Sequence, residues 1–314
     1  MLVCIAGRDH TSHHGKRMQA LFIGQTYIDV TFITDHMPTG DEKHVADAYA
    51  VSFGGNAVTA AFCCAKLGIV PDLIATMAND WLGRMFWDMA DRYGISMHPR
   101  KVNSSSLSFI MPKEGKRAIV RCRDDQHIHP FPLLNLKGCR ALHIDGHQPD
   151  AAIHYAKLCR EEGILTSLDG GGLRTNTHEL LQFIDVAIVA ERLCEQMDKT
   201  PEQMLDYLKE RGCRVGGITM GERGLLWYDE AGAVGTLPAL PISRQRVIDT
   251  NGAGDVFHGA YIYSYLANPG KTWHEHFEFA RAASTYKIQK LGNEAGLPTL
   301  ADIEAVKLEF RAAV

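Results

Sequence analysis

The sequence lacks the features that mark membrane proteins, zinc proteins and nucleic-acid binders. Its eight cysteines are scattered, with no CxxC pair and no zinc-ligand spacing. No apolar run approaches the ~18 residues that a membrane-spanning helix needs. The net charge of −4 provides no basic stripe for a nucleic acid. These absences predict a cytoplasmic protein with buried thiols, bound to neither membrane nor nucleic acid.

Two further absences concern organisation. No Gly-x-Gly-x-x-Gly follows the first predicted strand, residues 20–24, which argues against an NAD-dependent oxidoreductase. There is no internal repeat or low-complexity linker, and 314 residues with a 46% hydrophobic fraction can bury one large core. We therefore predict one domain over residues 18–314. Residues 1–17 are predicted to be a loose polar leader, because their apolar part is too short for a signal peptide.

Short apolar strands alternate with helical stretches along most of the chain. This alternation predicts an α/β fold with a parallel sheet. The helix predicted at residues 80–93 places four large apolar residues at inward spacing, Trp81, Met85, Phe86 and Met89. Residues 44–53 and 106–123 break the rhythm, because they alternate like strands with one exposed face. They predict a small secondary sheet built from about 30–53 and 103–123. Its open face needs a cover, for which a homodimer clasp is one candidate.

The most informative motif is residues 249–260, which read Asp-Thr-Asn-Gly-Ala-Gly-Asp-Val-Phe-His-Gly-Ala. Glycines let backbone N–H groups converge, and a helix that starts just after them adds its positive dipole end. Gly252, Ala253 and Gly254 are therefore predicted to bind an anion such as a phosphoryl group. Asp255 lies at the mouth of this turn, where a carboxylate can orient and deprotonate an alcohol. The alternative is an ordinary helix N-terminus with Asp255 in its first turn.

Residues 249–255 closely resemble the C-terminal signature of the PfkB carbohydrate kinase, or ribokinase-like, family, Asp-Thr-x-Gly-Ala-Gly-Asp. Residues 54–57, Gly-Gly-Asn-Ala, are similar to its N-terminal signature, and the resemblance extends from residue 19 to the C-terminus. It implies a ribokinase-like three-layer α/β/α body with a mostly parallel central sheet and a small antiparallel β-sheet lid over the sugar. Such a lid excludes water, which would otherwise hydrolyse ATP.

The resemblance also implies a sugar site. Asp29, in the turn after the first strand, matches the aspartate that accepts hydrogen bonds from sugar hydroxyls. Gly54, Gly55 and Asn56 are expected to approach the sugar ring closely. Other polar groups near strand ends or the lid are candidate ligands, although a solvated surface position is the more common role for each: Lys43, Arg121 and His147.

The nucleotide site is implied by a second group of residues. Thr219, Gly221 and Gly224 match a Thr-x-Gly-x-x-Gly turn beside the nucleotide. The family's Asn-x-x-Glu motif is reduced to Glu191, so Mg²⁺ is expected to arrive with ATP and keep water ligands. Residues 169–174 depart from the family's Asp-x-Asn-x-Arg, and Arg174 is predicted to bind an ATP phosphate or an anionic substrate group.

A monovalent cation, such as K⁺, is a further implied ligand. Several family members bind one beside the catalytic turn. The residues of this chain that match that position are Asp249, Asn251, Gly292 and Gly296, and Asn251 is also expected to border the nucleotide.

The predicted activity is ATP-dependent phosphorylation of a primary hydroxyl of a small sugar. Residues 142–146 and 249–260 are most similar to the ketose-directed branches, including ketohexokinase and sulfofructose kinase, which favours a ketose such as fructose or a derivative. A nucleoside, a 2-keto-3-deoxy sugar acid, and a catalytically weak sugar-sensing homologue remain alternatives.

Overall fold

The computed structural model describes residues 18–36, 39–113 and 116–311. The predicted leader at residues 1–17 lies outside the described residues. The seven cysteines within them are free thiols, and all except Cys122 are buried. Across these ranges, no helix combines the length and apolar character needed to span a membrane.

The described residues form strands in two separate sheets. In chain order the strands are β1 (Ala20–Gly24), β2 (Tyr27–Ile33), β3 (Ala48–Gly54), β4 (Asp72–Met77), β5 (Ser96–Lys101), β6 (Leu107–Lys113), β7 (Lys116–Cys122), β8 (Ala141–Ile144), β9 (Leu165–Gly170), β10 (Val186–Ala190), β11 (Val215–Thr219), β12 (Leu225–Tyr228) and β13 (Val234–Leu237).

The larger sheet has nine strands in the order β13-β12-β11-β10-β9-β8-β1-β4-β5. Pairing is parallel from β11 through β5, and β12 and β13 extend one edge antiparallel. Parallel strands are covered on both faces, which explains apolar runs such as Ala-Leu-Phe-Ile-Gly in β1, where all five residues are buried. The predicted mostly parallel α/β body is confirmed.

Helices cover both faces of this sheet. They are α1 (Asn56–Leu67), α2 (Trp81–Arg92), α3 (Pro149–Glu161), α4 (Thr177–Leu180), α5 (Glu191–Gln196), α6 (Pro201–Glu210), α7 (Ala253–Ala267), α8 (Trp273–Lys287) and α9 (Leu300–Glu309). One apolar core joins the sheet to α1, α2 and α7–α9, and a second joins it to α3–α6. The result is the predicted three-layer α/β/α body.

The interpretation of α2 was partly wrong. Phe86 and Met89 are buried as expected, but Trp81 is 79% exposed and Met85 is 38% exposed. The helix packs on β5, the edge strand of the large sheet, so the core covers only a narrow stripe of its surface. Helical spacing therefore identified the helix correctly and overestimated the width of its buried face.

The smaller sheet has the order β3-β2-β6-β7. β2 pairs antiparallel with β3, and β6 pairs antiparallel with β7, but β2 and β6 are parallel. The predicted antiparallel lid is thus a mixed sheet, because β2 and β6 each leave the body in the same direction after a body strand. β2 begins at Tyr27, so Asp29 lies inside a strand and not in the predicted turn.

The order of the large sheet reverses beside β1. The chain first adds β4 and β5 on one side of β1, and then β8 to β11 on the other. At such a switch point the connections diverge and leave a crevice at the carboxyl ends of the strands. Loops after β1, β8, β9, β10 and β11 open into this region, and the small sheet rises beside it.

Candidate active site

The turn that precedes α7 has the geometry of an anion-binding turn. Gly252 is the helix N-cap with φ of 74°, a conformation that favours glycine. A Cβ there would lie 2.3 Å from Asn293 Oδ1, whereas a Cβ at Gly254 would meet nothing within 4 Å. The mouth of the turn therefore faces open space. In the first turn of α7, Ala253 N donates to the Thr250 carbonyl oxygen at 3.4 Å. The N–H groups of Gly254 and Asp255 have no intrahelical acceptor and are available to an anion.

Asp255 lies in the first turn of α7, among charged neighbours. Burial raises its pKa well above that of an ordinary carboxyl, and the negative charges of Asp169 and Asp29 raise it further. Arg117 and Arg121 of β7 act in the opposite direction. A carboxylate with a raised pKa is a stronger proton acceptor, which suits a general base.

Asp29 links the small sheet to the turn before α7. It is 3% exposed, and its Oδ2 accepts hydrogen bonds from Asn251 Nδ2 at 3.0 Å and Asn293 Nδ2 at 3.1 Å. Asn293 Nδ2 also donates to the Phe53 carbonyl oxygen at 2.8 Å. Burial raises the pKa of Asp29, and the Ser108 hydroxyl and the Asn251 amide oppose that rise. Apart from this contact between them, Asp29 Oδ1 and Ser108 Oγ have no hydrogen-bond partner among the described residues, so both could turn toward a ligand hydroxyl group.

A row of four residues crosses the small sheet at the level of Asp29. Ser52, Asp29, Ser108 and Arg121 are in register on β3, β2, β6 and β7. Arg121 reaches over the Tyr27 ring, with its guanidinium carbon 5.0 Å from the ring centroid. This face of the small sheet, its inner face, is therefore polar and is directed at the turn before α7.

The Gly54–Gly55 pair allows a close approach between the small sheet and the body. A Cβ at Gly54 would lie 2.3–2.4 Å from the Asp29 carboxylate, and one at Gly55 would lie 1.9 Å from the Gln25 carbonyl oxygen. Gly55 also has φ of 105°. Asn56 follows, and its Nδ2 donates to Asp169 Oδ2 at 3.1 Å. The predicted sugar-site residues Asp29, Gly54, Gly55 and Asn56 therefore lie together.

Asp145, immediately after β8, supports this junction. It is 1% exposed, and its Oδ2 accepts from the backbone N–H of Gln25 at 3.3 Å and of Ala57 at 3.4 Å. His147 Nδ1 lies 3.2 Å from Oδ1. Although burial opposes ionisation, His147 and Arg174 lower the pKa of Asp145 to about 2. Asp145 therefore stays ionised and holds His147 beside the predicted sugar site.

Arg174 lies on this side of the crevice. Its Nε donates to the Asp145 carbonyl oxygen at 2.9 Å. Burial lowers the pKa of Arg174, the charges of Asp145 and Asp169 oppose this, and the nearby charge of Arg123 lowers it further. Arg121 and Arg123 both act electrostatically on Tyr27. Arg121 and Arg174 therefore lie beside Tyr27 and Asp145, and Arg123, which forms an ion pair with Asp125 at 2.9 Å, is close enough to affect Tyr27 and Arg174.

The residues predicted for the nucleotide cluster at the carboxyl ends of β10 and β11. Ala190 and Thr219 are in register there, and Thr219 Oγ1 donates to the Val189 carbonyl oxygen at 3.4 Å. Gly221 and Gly224 both have positive φ, and a Cβ at Gly224 would lie 2.1 Å from the Leu237 carbonyl oxygen. Glu191 forms an ion pair with Arg223, which neutralises the acidic group that the sequence retains.

The four residues predicted to hold a monovalent cation do come together, but around a side chain. Lys287 is completely buried, and its Nζ lies 3.2 Å from the Asp249 carbonyl oxygen and 3.4 Å from Asp249 Oδ2. Gly292 N donates to Asp249 Oδ2 at 3.0 Å, and Asn251 N donates to Oδ1 at 2.9 Å. Because an ammonium group already occupies these acceptors, the residues present do not fit an additional cation.

One predicted residue lies outside the site, and three residues of the site were not predicted. Lys43 lies in the exposed segment between β2 and β3, away from the polar inner row. Asn293, Arg117 and Arg123 join the site without having been predicted. Only long-range contacts reveal them, and no local motif contains them.

Comparisons with known proteins agree with this geometry. The model of the pfkB family carbohydrate kinases matches residues 18–300. A ribokinase from Lactococcus lactis is 23% identical over 296 residues, covering 90% of this chain and 95% of its own. A solved ribokinase candidate from Agrobacterium tumefaciens has a TM-score of 0.83 at 22% identity, covering 95% of this chain and 99% of its own.

A second solved structure shows ligands. It is a ribokinase II candidate from E. coli in complex with ATP and Mg²⁺, with a TM-score of 0.76 at 19% identity, covering 93% of this chain and 99% of its own. The sequence-based similarity to ketohexokinase is not supported, since the named relatives are ribokinases, a deoxyribokinase, a nucleoside kinase and an ATP-dependent 6-phosphofructokinase. With a family match over most of its length, and with Asp255 and the glycine turn in place, the chain belongs to the pfkB family of carbohydrate kinases, ATP-dependent phosphotransferases that act on an alcohol group.

Proposed function

We propose that this kinase transfers the γ-phosphoryl group of ATP to the primary hydroxyl of a small furanose sugar that carries an acidic group. The observation behind the acidic group is the position of Arg121 and Arg174 beside Tyr27 and Asp145, with Arg123 close by. Guanidinium groups bind carboxylates and phosphates through paired hydrogen bonds. A 2-keto-3-deoxy sugar acid or a ketose phosphate would use several of them.

The chemistry follows from the groups around the catalytic turn. Asp29 Oδ1 accepts a hydrogen bond from a sugar hydroxyl, and Ser108 Oγ accepts or donates one. Asp255 removes the proton from the attacking hydroxyl. The amides of Gly252, Ala253 and Gly254 stabilise negative charge on the transferring phosphoryl group. This pairing of base and amides favours a working kinase over a sugar-sensing homologue.

The nucleotide is proposed to lie along Thr219, Gly221 and Gly224, with its terminal phosphate at the turn before α7. Mg²⁺ neutralises phosphate charge when bound, and it retains several waters in sites of this kind. Glu191, the one acidic residue left of the family motif, is paired with Arg223, which fits a metal held mainly by ATP. The need for ATP and the free thiols support a cytoplasmic location.

The test measures ADP release with Mg-ATP across ribose, fructose, nucleosides, sugar phosphates, sulfosugars and sugar acids. We expect an acidic sugar to give the highest kcat/KM. Arg121→Gln should raise KM for that acceptor about tenfold or more, since a hydrogen bond to a charged group contributes ~1.5–3 kcal/mol. The matched control is Arg211→Gln, because Arg211 also stacks over a tyrosine, Tyr207, at 4.9 Å but caps the C-terminal end of α6. A wild-type preference for neutral sugars would contradict the acidic-acceptor proposal.

We also propose a homodimer through the outer face of the small sheet. This face carries the apolar row Val51, Val30, Phe109 and Val120, and Phe32 packs beside Phe109 with ring centroids 5.3 Å apart. Tyr49 is 68% exposed and Val120 is 63% exposed. Apolar side chains this exposed on an edge-containing sheet favour a partner surface.

Val120→Asp should convert the dimer to a monomer, because it places a charge in the apolar row of the proposed interface. Sedimentation equilibrium gives the molar mass directly. Val234→Asp is the control, since Val234 is similarly exposed at 59% on β13, an edge strand of the large sheet. A wild-type protein that sediments as a monomer at micromolar concentration would contradict the proposed dimer.

A further inference from the structure

Lys287 is an unusual side chain for the interior of a protein. It is the last residue of α8 and has no exposed surface. An isolated buried ammonium is strongly disfavoured, so it needs charged or hydrogen-bonding partners. Both of its hydrogen-bond acceptors belong to Asp249, at 3.2 Å for the carbonyl oxygen and 3.4 Å for Oδ2.

The surrounding backbone is shaped to hold this side chain. A Cβ at Gly296 would lie 2.0 Å from Lys287 Cδ, and one at Gly252 would lie 3.6 Å from Lys287 Cε. The lysine stem therefore fits only while residue 296 is glycine, whereas the contact at Gly252 is an ordinary van der Waals distance. The loop 292–296 and the turn 249–252 therefore enclose the lysine stem from two sides.

The Lys287 ammonium supplies a positive charge beside the carboxylates of Asp249 and Asp255. Burial lowers the pKa of Lys287, but the charges of Asp249 and Asp255 oppose that shift. Asp249 uses its remaining acceptor capacity on the N–H groups of Asn251 and Gly292. A cation binds in a protein by replacing its water shell with oxygen ligands, and here these oxygens already serve an internal cation.

We propose that the Lys287 ammonium replaces the monovalent cation at this position, so that the protein neither needs nor binds K⁺ there. Lys287 is then a positioning residue. It holds Asp249 and the turn that leads to Gly252, and through that turn it sets the direction of the amides that face the phosphoryl group. This inference rests on the proposed kinase function. The melting-temperature measurement in its test does not depend on which sugar is the acceptor.

The first experiment needs no variant. Melting temperature and ATP binding are measured in potassium, sodium and choline chloride at equal ionic strength, with and without an acceptor that supports ADP release. We expect K⁺ to change neither quantity relative to choline, and to change turnover by less than about twofold. Stabilisation or activation of the wild-type protein by K⁺ above sodium and choline would overturn the proposal.

The second experiment removes the internal cation. Lys287→Ala leaves Asp249 without its partner and opens space beside it, so we expect weaker ATP binding and turnover lowered about 10²-fold, each partly restored by K⁺ or NH₄⁺ and not by choline. Lys290→Ala is the control, because Lys290 is exposed on the same segment. A folded Lys287→Ala protein that keeps full activity in choline, or that no small cation stabilises, would also overturn the proposal. If this variant does not fold, the wild-type ion series still decides.

Discussion

Asp255→Asn is expected to lower turnover by about 10²-fold or more, the usual contribution of a general base, while acceptor binding survives. The substitution keeps the shape of the side chain and removes its ability to accept a proton. It also removes a negative charge from beside Asp169 and Asp29, which favours folding locally. The variant should therefore be at least as stable as the wild-type protein, and its defect should lie in kcat.

The pH dependence of kcat tests the role of Asp255 as proton acceptor independently. Only the deprotonated form of Asp255 accepts a proton, so kcat should fall as the pH decreases through its pKa. Because burial and the neighbouring carboxylates raise that pKa, the fall should occur above the range of an ordinary carboxyl. The acid limb should disappear in Asp255→Asn.

Single-turnover and steady-state ADP release would check both expectations. Asp206→Asn, on the exposed side of α6, is the matched control for a neutralised aspartate. Near-normal turnover in Asp255→Asn would show that another group removes the proton.

Gly55→Ala is expected to have the second largest effect, and it should act on folding as well as on substrate binding. A Cβ at this position would lie 1.9 Å from the Gln25 carbonyl oxygen, and φ is 105°. The backbone of the loop after β1 would have to move away from the start of α1. That movement separates Asn56 and Asp29, so KM for the sugar should rise.

Gly68→Ala separates the cost of backbone strain from the cost of the close approach to Gln25. Gly68 lies at the other end of α1 with φ of 115°, but a Cβ there meets nothing within 4 Å. Backbone strain alone should cost it roughly 1–2 kcal/mol. Gly55→Ala should cost roughly 2 kcal/mol more, the typical penalty of overpacking. Urea unfolding would measure both, and equal losses would mean that the close approach to Gln25 is unimportant.

Local sequence signals predicted the parts of this molecule that depend on local conformation. The turn before α7 is one contiguous string, so Gly252, Gly254 and Asp255 could be identified together. The body strands are continuous apolar runs, which is what burial on both faces requires. The small sheet was also located correctly, because its strands alternate.

What escaped prediction depends on contacts between distant residues. Lys287 ends an amphipathic helix, where a lysine is ordinarily solvated, and only the fold encloses it. Asn293 lies in a loop with no motif, yet it donates to both Asp29 and Phe53. The parallel pairing of β2 with β6 likewise follows from how two distant strands leave the body, which no strand pattern encodes.

The bonds to Asp29 also determine when the protein becomes competent during synthesis. Its partners Asn251 and Asn293 lie 222 and 264 residues further along the chain. A ribosome therefore exposes β1, β2 and most of the large sheet long before either amide exists. Until then Asp29 lacks these two donors, and a buried carboxylate without hydrogen-bond donors is disfavoured. We therefore expect the small sheet to take its final place against the body only when nearly all of the chain has been made.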